Sequence, residues 1–262
     1  MRRIWLSCLR LSRFWLFGAA LGLGSTLAWG QSAATGLYND GNARYRAGDF
    51  AGSLSYYQQA GAMGLEDPRL FYNLANALFK TGQLGEAILW YERALRLAPR
   101  DPDIKANLDF VNQIKKDREV QTANNLILDF LLQVFIYPGI NELALLLLIS
   151  LAAVFALATT RLWNRDRTGS GWLAALATSL FVSLLVAAWL GGRVVRLEER
   201  DQGIVLAGEA TARSAPDESK TAVFIIHEGT KVRIERREDG WVLIRLANGL
   251  GGWLPAKTVE TI

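Results

Sequence analysis

Imidazole and thiol chemistry are almost absent from this chain. His227 is the one histidine and Cys8 the one cysteine among 262 residues. Cys8 lies in the N-terminal leader, so export with cleavage leaves no thiol in the mature chain. Disulfides, thiolate metal sites and cysteine nucleophiles are then excluded. His227 stands just before a turn, with no serine, cysteine or acid around it at a catalytic spacing, and reads as structural. A cysteine–histidine hydrolase therefore lacks its nucleophile. A two-carboxylate glycosidase is permitted by residue type, but no domain-sized segment remains to house one after the assignments below. There is no Walker loop, metal-ligand cluster or dinucleotide fingerprint. The expectation is a protein without catalytic residues, metal or cofactor, whose work is binding.

The elements that would carry binding surfaces are punctuated by apolar runs. Residues 1–30 begin with Arg2, Arg3, Arg10 and Arg13, continue through the apolar stretch Phe14–Leu27 and end in small residues at Ala28 and Gly30. This is the pattern of a secretory signal, with an uncleaved anchor as the competing reading. Those four arginines account for the whole formal charge of +4, so residues 31–262 are neutral and no nucleic-acid partner is indicated. Residues 143–162 and 171–191 hold two uncharged runs long enough to span a bilayer of about 30 Å. The second has Trp172 and Trp189 near its ends as interface anchors. The loop 163–170 carries Arg165 and Arg167 just after Arg161, while no Lys or Arg lies between Arg118 and Arg161. The loop should stay cytoplasmic, leaving both soluble parts on the exported, periplasmic side of an inner membrane.

Between leader and first span, "GNARYRAGDFAGSLSYYQQA" from Gly41 returns as "ANALFKTGQLGEAILWYERA" from Ala75, an offset of 34 residues. That is the period of tetratricopeptide repeats, and the second copy resembles the family closely. Leu74 and Ala75 fill the apolar and small positions of the first helix. Gly82 sits at the turn, Ala87, Tyr91 and Ala94 pack the second helix, and Pro99 closes the unit. The first copy keeps Gly48, Tyr57 and Ala60, with Pro68 three residues late. Residues 31–119 thus read as repeats 34–67 and 68–101 plus a helix over 103–118 acting as a polar cap.

The resemblance implies a concave surface that holds an extended peptide or a partner helix. Carried over by position, that groove shows Tyr38, Asn42 and Tyr45, then Tyr72, Asn73, Asn76 and Phe79, then Asn107. Asn42 and Asn73 match the asparagines of a carboxylate clamp found in some relatives. Tyr38, Asp103 and Asn107 occupy the places of its cations, so carboxylate capture is not implied. The asparagines read either as partners for a peptide backbone or as bridges between helices.

Residues 120–139 are apolar but carry Asp129 and Gln133, and suit either a helix in the headgroup plane or a shared core helix. From residue 201 the periodicity becomes that of strands, five or six of them, with "EDG" and "ANG" as hairpin turns. Residues 201–262 resemble the bacterial SH3 (SH3b) domain through "ATARSAP", "HEGTKVRI" and "DGWVLIRLANGLGGWLP". Such domains bind peptides or cell-wall components, which makes Arg213, Trp241 and Trp253 a candidate surface; the competing reading of the tryptophans is core and rim packing.

The expected fold is therefore multidomain: an all-α repeat solenoid, a two-helix transmembrane hairpin and a small all-β SH3-like barrel. The order of parts is similar to that of the BatE family of the bacterial aerotolerance (Bat) operon. The wording "NLANALFKTGQLGEAILWYERALRLAPRDPDIKANLDFVN" and "SAPDESKTAVFIIHEGTKVRI" agrees with it. The resemblance implies a non-enzymatic membrane scaffold whose partners are membrane proteins with von Willebrand A domains and, through them, a MoxR-type AAA ATPase. The alternative is a sensor that binds peptidoglycan through the SH3b domain.

Overall fold

The computed structural model describes residues 32–117, 127, 130–131, 134–135, 137–163, 169–198 and 201–262. The leader with Cys8, the tract 118–126, most of the amphipathic segment and the loop residues 164–168 lie outside the described residues. The chain divides into two compact units. One joins the N-terminal helices to the C-terminal strands; the other comprises Val120–Asp201.

The first unit opens with helix α1 over residues 32–46. It continues with α2 (Phe50–Ala62), α3 (Pro68–Lys80), α4 (Leu84–Leu97) and α5 (Pro102–Ile114). Gly48 and Gly82 end α1 and α3 at φ 81° and 82°, the left-handed backbone that a tight helix reversal needs. Asp67 caps α3 through the Arg69 N–H, and Asp101 caps α5 through the N–H groups of Asp103 and Ile104. Each is followed by proline at the first helical position. Pro68 is therefore the counterpart of Pro102 one period on, an opener of α3 and not a late closing proline. Tyr57, Leu70, Leu74, Ala75, Leu78, Ala87 and Tyr91 form the buried seam between the helices.

Seven strands follow: β1 (Gln202–Val205), β2 (Glu209–Arg213), β3 (Ala222–His227), β4 (Lys231–Glu238), β5 (Trp241–Arg245), β6 (Gly251–Pro255) and β7 (Val259–Thr261). They form one antiparallel sheet in the order β3-β2-β6-β5-β4-β1-β7. The count exceeds the expected five or six because β1 and β7, of four and three residues, are too short to display alternation. Asp239 and Gly240, at φ 43° and 80°, make the two-residue β4–β5 turn. Asn248-Gly249 belongs to a longer loop closed by Leu246 and Leu250, with Gly249 at φ 88°.

Helices and barrel share a core. Within β1, the neighbours Ile204 and Val205 are both fully buried but in different clusters. Ile204 joins Leu74, Ile88, Leu108 and Val111 of the helices, together with Ile262, whereas Val205 joins Ile226, Val242, Ile244 and Leu254 inside the barrel. A strand's two-residue period lets β1 serve both. Within this core β1 packs against α4, while Phe110 and Ile114 of α5 stay half exposed.

The second unit is a hairpin of α6 (Ile140–Trp163) and α7 (Ser170–Glu198). Both helices are long and apolar enough to cross a membrane, and almost all of each candidate span faces outward. Leu143, Leu147, Ser150, Val154 and Leu157 on α6, and Trp172, Leu176, Ser179, Ser183 and Val186 on α7, are among the less exposed positions and recur at alternating steps of three and four residues. The Trp172 indole N–H donates to the Leu157 carbonyl and Thr160 Oγ1, both at 3.0 Å, tying the loop end together.

Candidate functional site

The groove residues named from the sequence come together on α1, α3 and α5, bonded to one another. Asn42 Oδ1 accepts the Tyr57 hydroxyl at 2.8 Å and Asn73 Nδ2 at 2.9 Å; Asn73 Nδ2 also reaches Tyr38 Oη at 3.1 Å. The same rung recurs 34 residues on. Asn76 Oδ1 accepts the Tyr91 hydroxyl and, at 3.1 Å, Asn107 Nδ2, which also donates to Tyr72 Oη at 2.8 Å. Each rung spans two first helices and the second helix between them. Burial, reinforced by neighbouring tyrosines, pushes the Tyr57 and Tyr91 phenols far above their ordinary value, so both stay protonated donors. The ladder stops because Phe110 stands one period after Asn76, where a third rung needs asparagine.

Tyr57 and Tyr91 are the members that sequence reasoning missed as polar partners, since they were read as packing aromatics; their 34-residue spacing was the available signal. What the asparagines offer outward is their remaining amide valences. The exposed part of the face is aromatic: Phe79 meets Phe110 edge-on at 5.8 Å, and Tyr45 meets Phe50 at 5.0 Å. Lys80 Nζ lies 5.9 Å above the Phe50 ring. Phe110 remains 53% exposed, the largest apolar side chain on offer there.

The barrel candidates share one face. Arg213 pairs with Trp253 across β2 and β6, and Trp253 with Leu243 across β6 and β5. Trp241 lies two residues before Leu243, so it is the diagonal neighbour of Trp253 on the outer side. Trp253 is 8% exposed and mainly packs, while Trp241 is half-buried. The Arg213 guanidinium is turned to the Lys220 carbonyl at 2.7 Å.

The 34-residue period and the strand alternation do not show the contact between barrel and repeats, which side-chain bonds from α4 and from beyond α5 hold together. α4 has no side-chain cap of its own; Glu228 of the β3–β4 turn supplies one, accepting the Gly85 N–H at 3.0 Å. Along α4, Glu92 pairs with Lys231 at 2.9 Å and Arg93 with Glu260 at 3.0 Å. Arg93 and Arg96 also donate to the main-chain oxygens of Thr261 and Ile262, at 2.6 and 2.7 Å. Gly229, at φ 79°, leaves room for Ile88: a Cβ there would sit 2.5 Å from Ile88 Cδ1. Beyond α5, Asp117 accepts the His227 main-chain N–H at 2.7 Å and the Thr230 hydroxyl at 3.0 Å. His227 thus has a carboxylate partner after all, 110 residues away in the chain.

Comparison with known proteins assigns the two soluble parts separately. Residues 38–102 match the family model of the tetratricopeptide repeat, and residues 207–260 that of the bacterial SH3 domain. No curated protein matches the chain. β1 and nearly all of α5, both part of the shared core, fall outside the matched segments. The chain carries tetratricopeptide repeats and a bacterial SH3 domain, with a pair of apolar helices between them in the sequence.

Proposed function

We propose that this chain is a membrane-anchored scaffold of a Bat-type aerotolerance or envelope-stress complex, without enzymatic activity. It holds a partner protein through the groove of Tyr38, Asn42, Tyr45, Tyr72, Asn73, Asn76, Phe79 and Asn107. The observation that carries the reading is the shared core of two binding modules interrupted by an apolar hairpin. Segments that bury Ile204 and Leu74 in one cluster fold in one compartment, which supports two crossings and a common side for both. The leader favours the periplasmic side of the inner membrane. Membrane proteins with von Willebrand A domains are the proposed partners, with a MoxR-type AAA ATPase acting through them.

Co-purification of such a partner with the full chain tests the groove. Phe79→Ala with Phe110→Ala should abolish capture and leave helicity intact; undiminished capture rejects the groove. The second reading, peptidoglycan binding, is favoured by the outer face of Arg213, Trp241 and Trp253, which lies apart from the β1, β7 and β3–β4-turn residues that contact the helices. Pelleting of the full chain with purified wall, lost on Trp241→Ala, supports it.

A further inference from the structure

We infer that His227 is a proton-operated switch at the contact between barrel and repeats, exchanging Lys116 for Glu209 as the partner of its Nε2. Asp117 Oδ1 lies 2.8 Å from His227 Nδ1, and Lys116 Nζ lies 2.6 Å from Nε2. An ammonium group can only donate, so the Lys116 contact requires an unprotonated Nε2. The proton of the neutral ring then sits on Nδ1, where it donates to Asp117. The last residues after α5 thereby select a single tautomer.

Glu209 faces the same nitrogen from the other side. It is the cross-strand partner of His227 on β2, and its Oε2 stands 3.8 Å from Nε2. When the ring takes a second proton from solvent, Nε2 becomes a donor. It then repels Lys116 and turns to Glu209, while Asp117 keeps Nδ1. One N–H bond forms as one O–H bond of a solvent hydronium breaks and leaves water, no other covalent bond changes, and the Lys116 ammonium is released to solvent. The remaining charged groups nearby are engaged elsewhere: Glu228 on the Gly85 N–H and Lys231 on Glu92. Lys115 is buried at the same end of α5, its Cβ facing Gly229. Lys116 lies just beyond α5, so the exchange acts at the end of the helical part of this unit.

The single histidine gives one pair of ring nitrogen resonances in the full chain held in nanodiscs, and a titration between about pH 8 and 5 covers the range in which histidine changes charge. The neutral ring should be the Nδ1–H tautomer. Lys116→Met should admit the Nε2–H tautomer at about pH 8, and Glu209→Gln should remove the acceptor of the Nε2–H proton at about pH 5 while leaving the tautomer at the upper end unchanged. A neutral Nε2–H tautomer in the wild type overturns the proposal, as does a Lys116 Nζ resonance that stays the same between about pH 8 and 5.

Discussion

Ile204→Ala distinguishes a shared core from two domains that merely touch. Ile204 is fully buried on β1, which packs against α4, and belongs to the helices' core cluster; its truncation removes three carbons from a packed site. Substitutions of this kind cost about 2–5 kcal/mol, depending on how far the site collapses. For a unit of roughly 150 residues, each kcal/mol lowers the melting midpoint by about 2–4 °C, so a fall of about 4–20 °C is expected. The readout is hydrogen exchange of the full chain in nanodiscs along a temperature series, with peptides of α3–α4 and β4–β5 followed separately. Both sets should lose protection at one common, lowered midpoint. Val242→Ala provides the reciprocal arm, because Val242 lies in the barrel's own cluster and touches no helix cluster residue. It should lower the midpoint of α3–α4 as well. If the barrel peptides melt early while the helices keep their wild-type midpoint, the shared-core reasoning is refuted.

Three further outcomes follow from named contacts. Glu228→Ala strips α4 of its borrowed cap and should cost about 1 kcal/mol, measured as a shift in the common transition. Asn107→Ala leaves Tyr72 Oη without its amide donor and Asn76 Oδ1 with the Tyr91 hydroxyl alone, and should cost about 1–3 kcal/mol, whereas Phe110→Ala on the exposed face should cost well under that. Asp117 sets an acid limit. Burial pushes its carboxyl up, but the bonds from the His227 main chain and ring and from Thr230 outweigh that and hold it below the usual carboxylate range. A depressed folded-state value contributes stability above the unfolded value of about 4, lost as pH falls through the folded one. The gap between wild type and Asp117→Asn in denaturant midpoint should therefore be full near pH 6 and shrink below about pH 4; a gap that stays constant down to acid pH rejects this role.

Legibility in the sequence followed the range of the interactions. The 34-residue echo, Gly48 and Gly82 at the reversals and the "EDG" turn are local, and each imposes its structure on its immediate neighbours. Pro68 was ambiguous for the same reason: a proline can follow one helix or open the next, and only the Asp67 cap decides. Asn42, Asn73, Asn76 and Asn107 recur at the 34-residue period, which is legible, yet their partners Tyr57 and Tyr91 come from the second helix of each pair. The docking of the barrel left no periodic trace. Its pairs, such as Asp117 with His227 and Arg93 with Glu260, join residues more than a hundred positions apart. The missing side-chain cap on α4 and the cluster Glu92, Arg93 and Arg96 are the only local hints that this helix meets something else.

The central claim, one soluble unit on one side of the membrane with a hairpin returning through it, is tested most directly by membrane-impermeant thiol labelling in intact cells. Single cysteines at Ser55, Gly169 and Ser219, all exposed positions, are introduced into a chain with Cys8→Ser. Labelling at Ser55 and Ser219 from outside, with Gly169 reactive only after lysis, is the expected result. Labelling of Ser55 and Ser219 from opposite faces would contradict the shared core and the scaffold built on it.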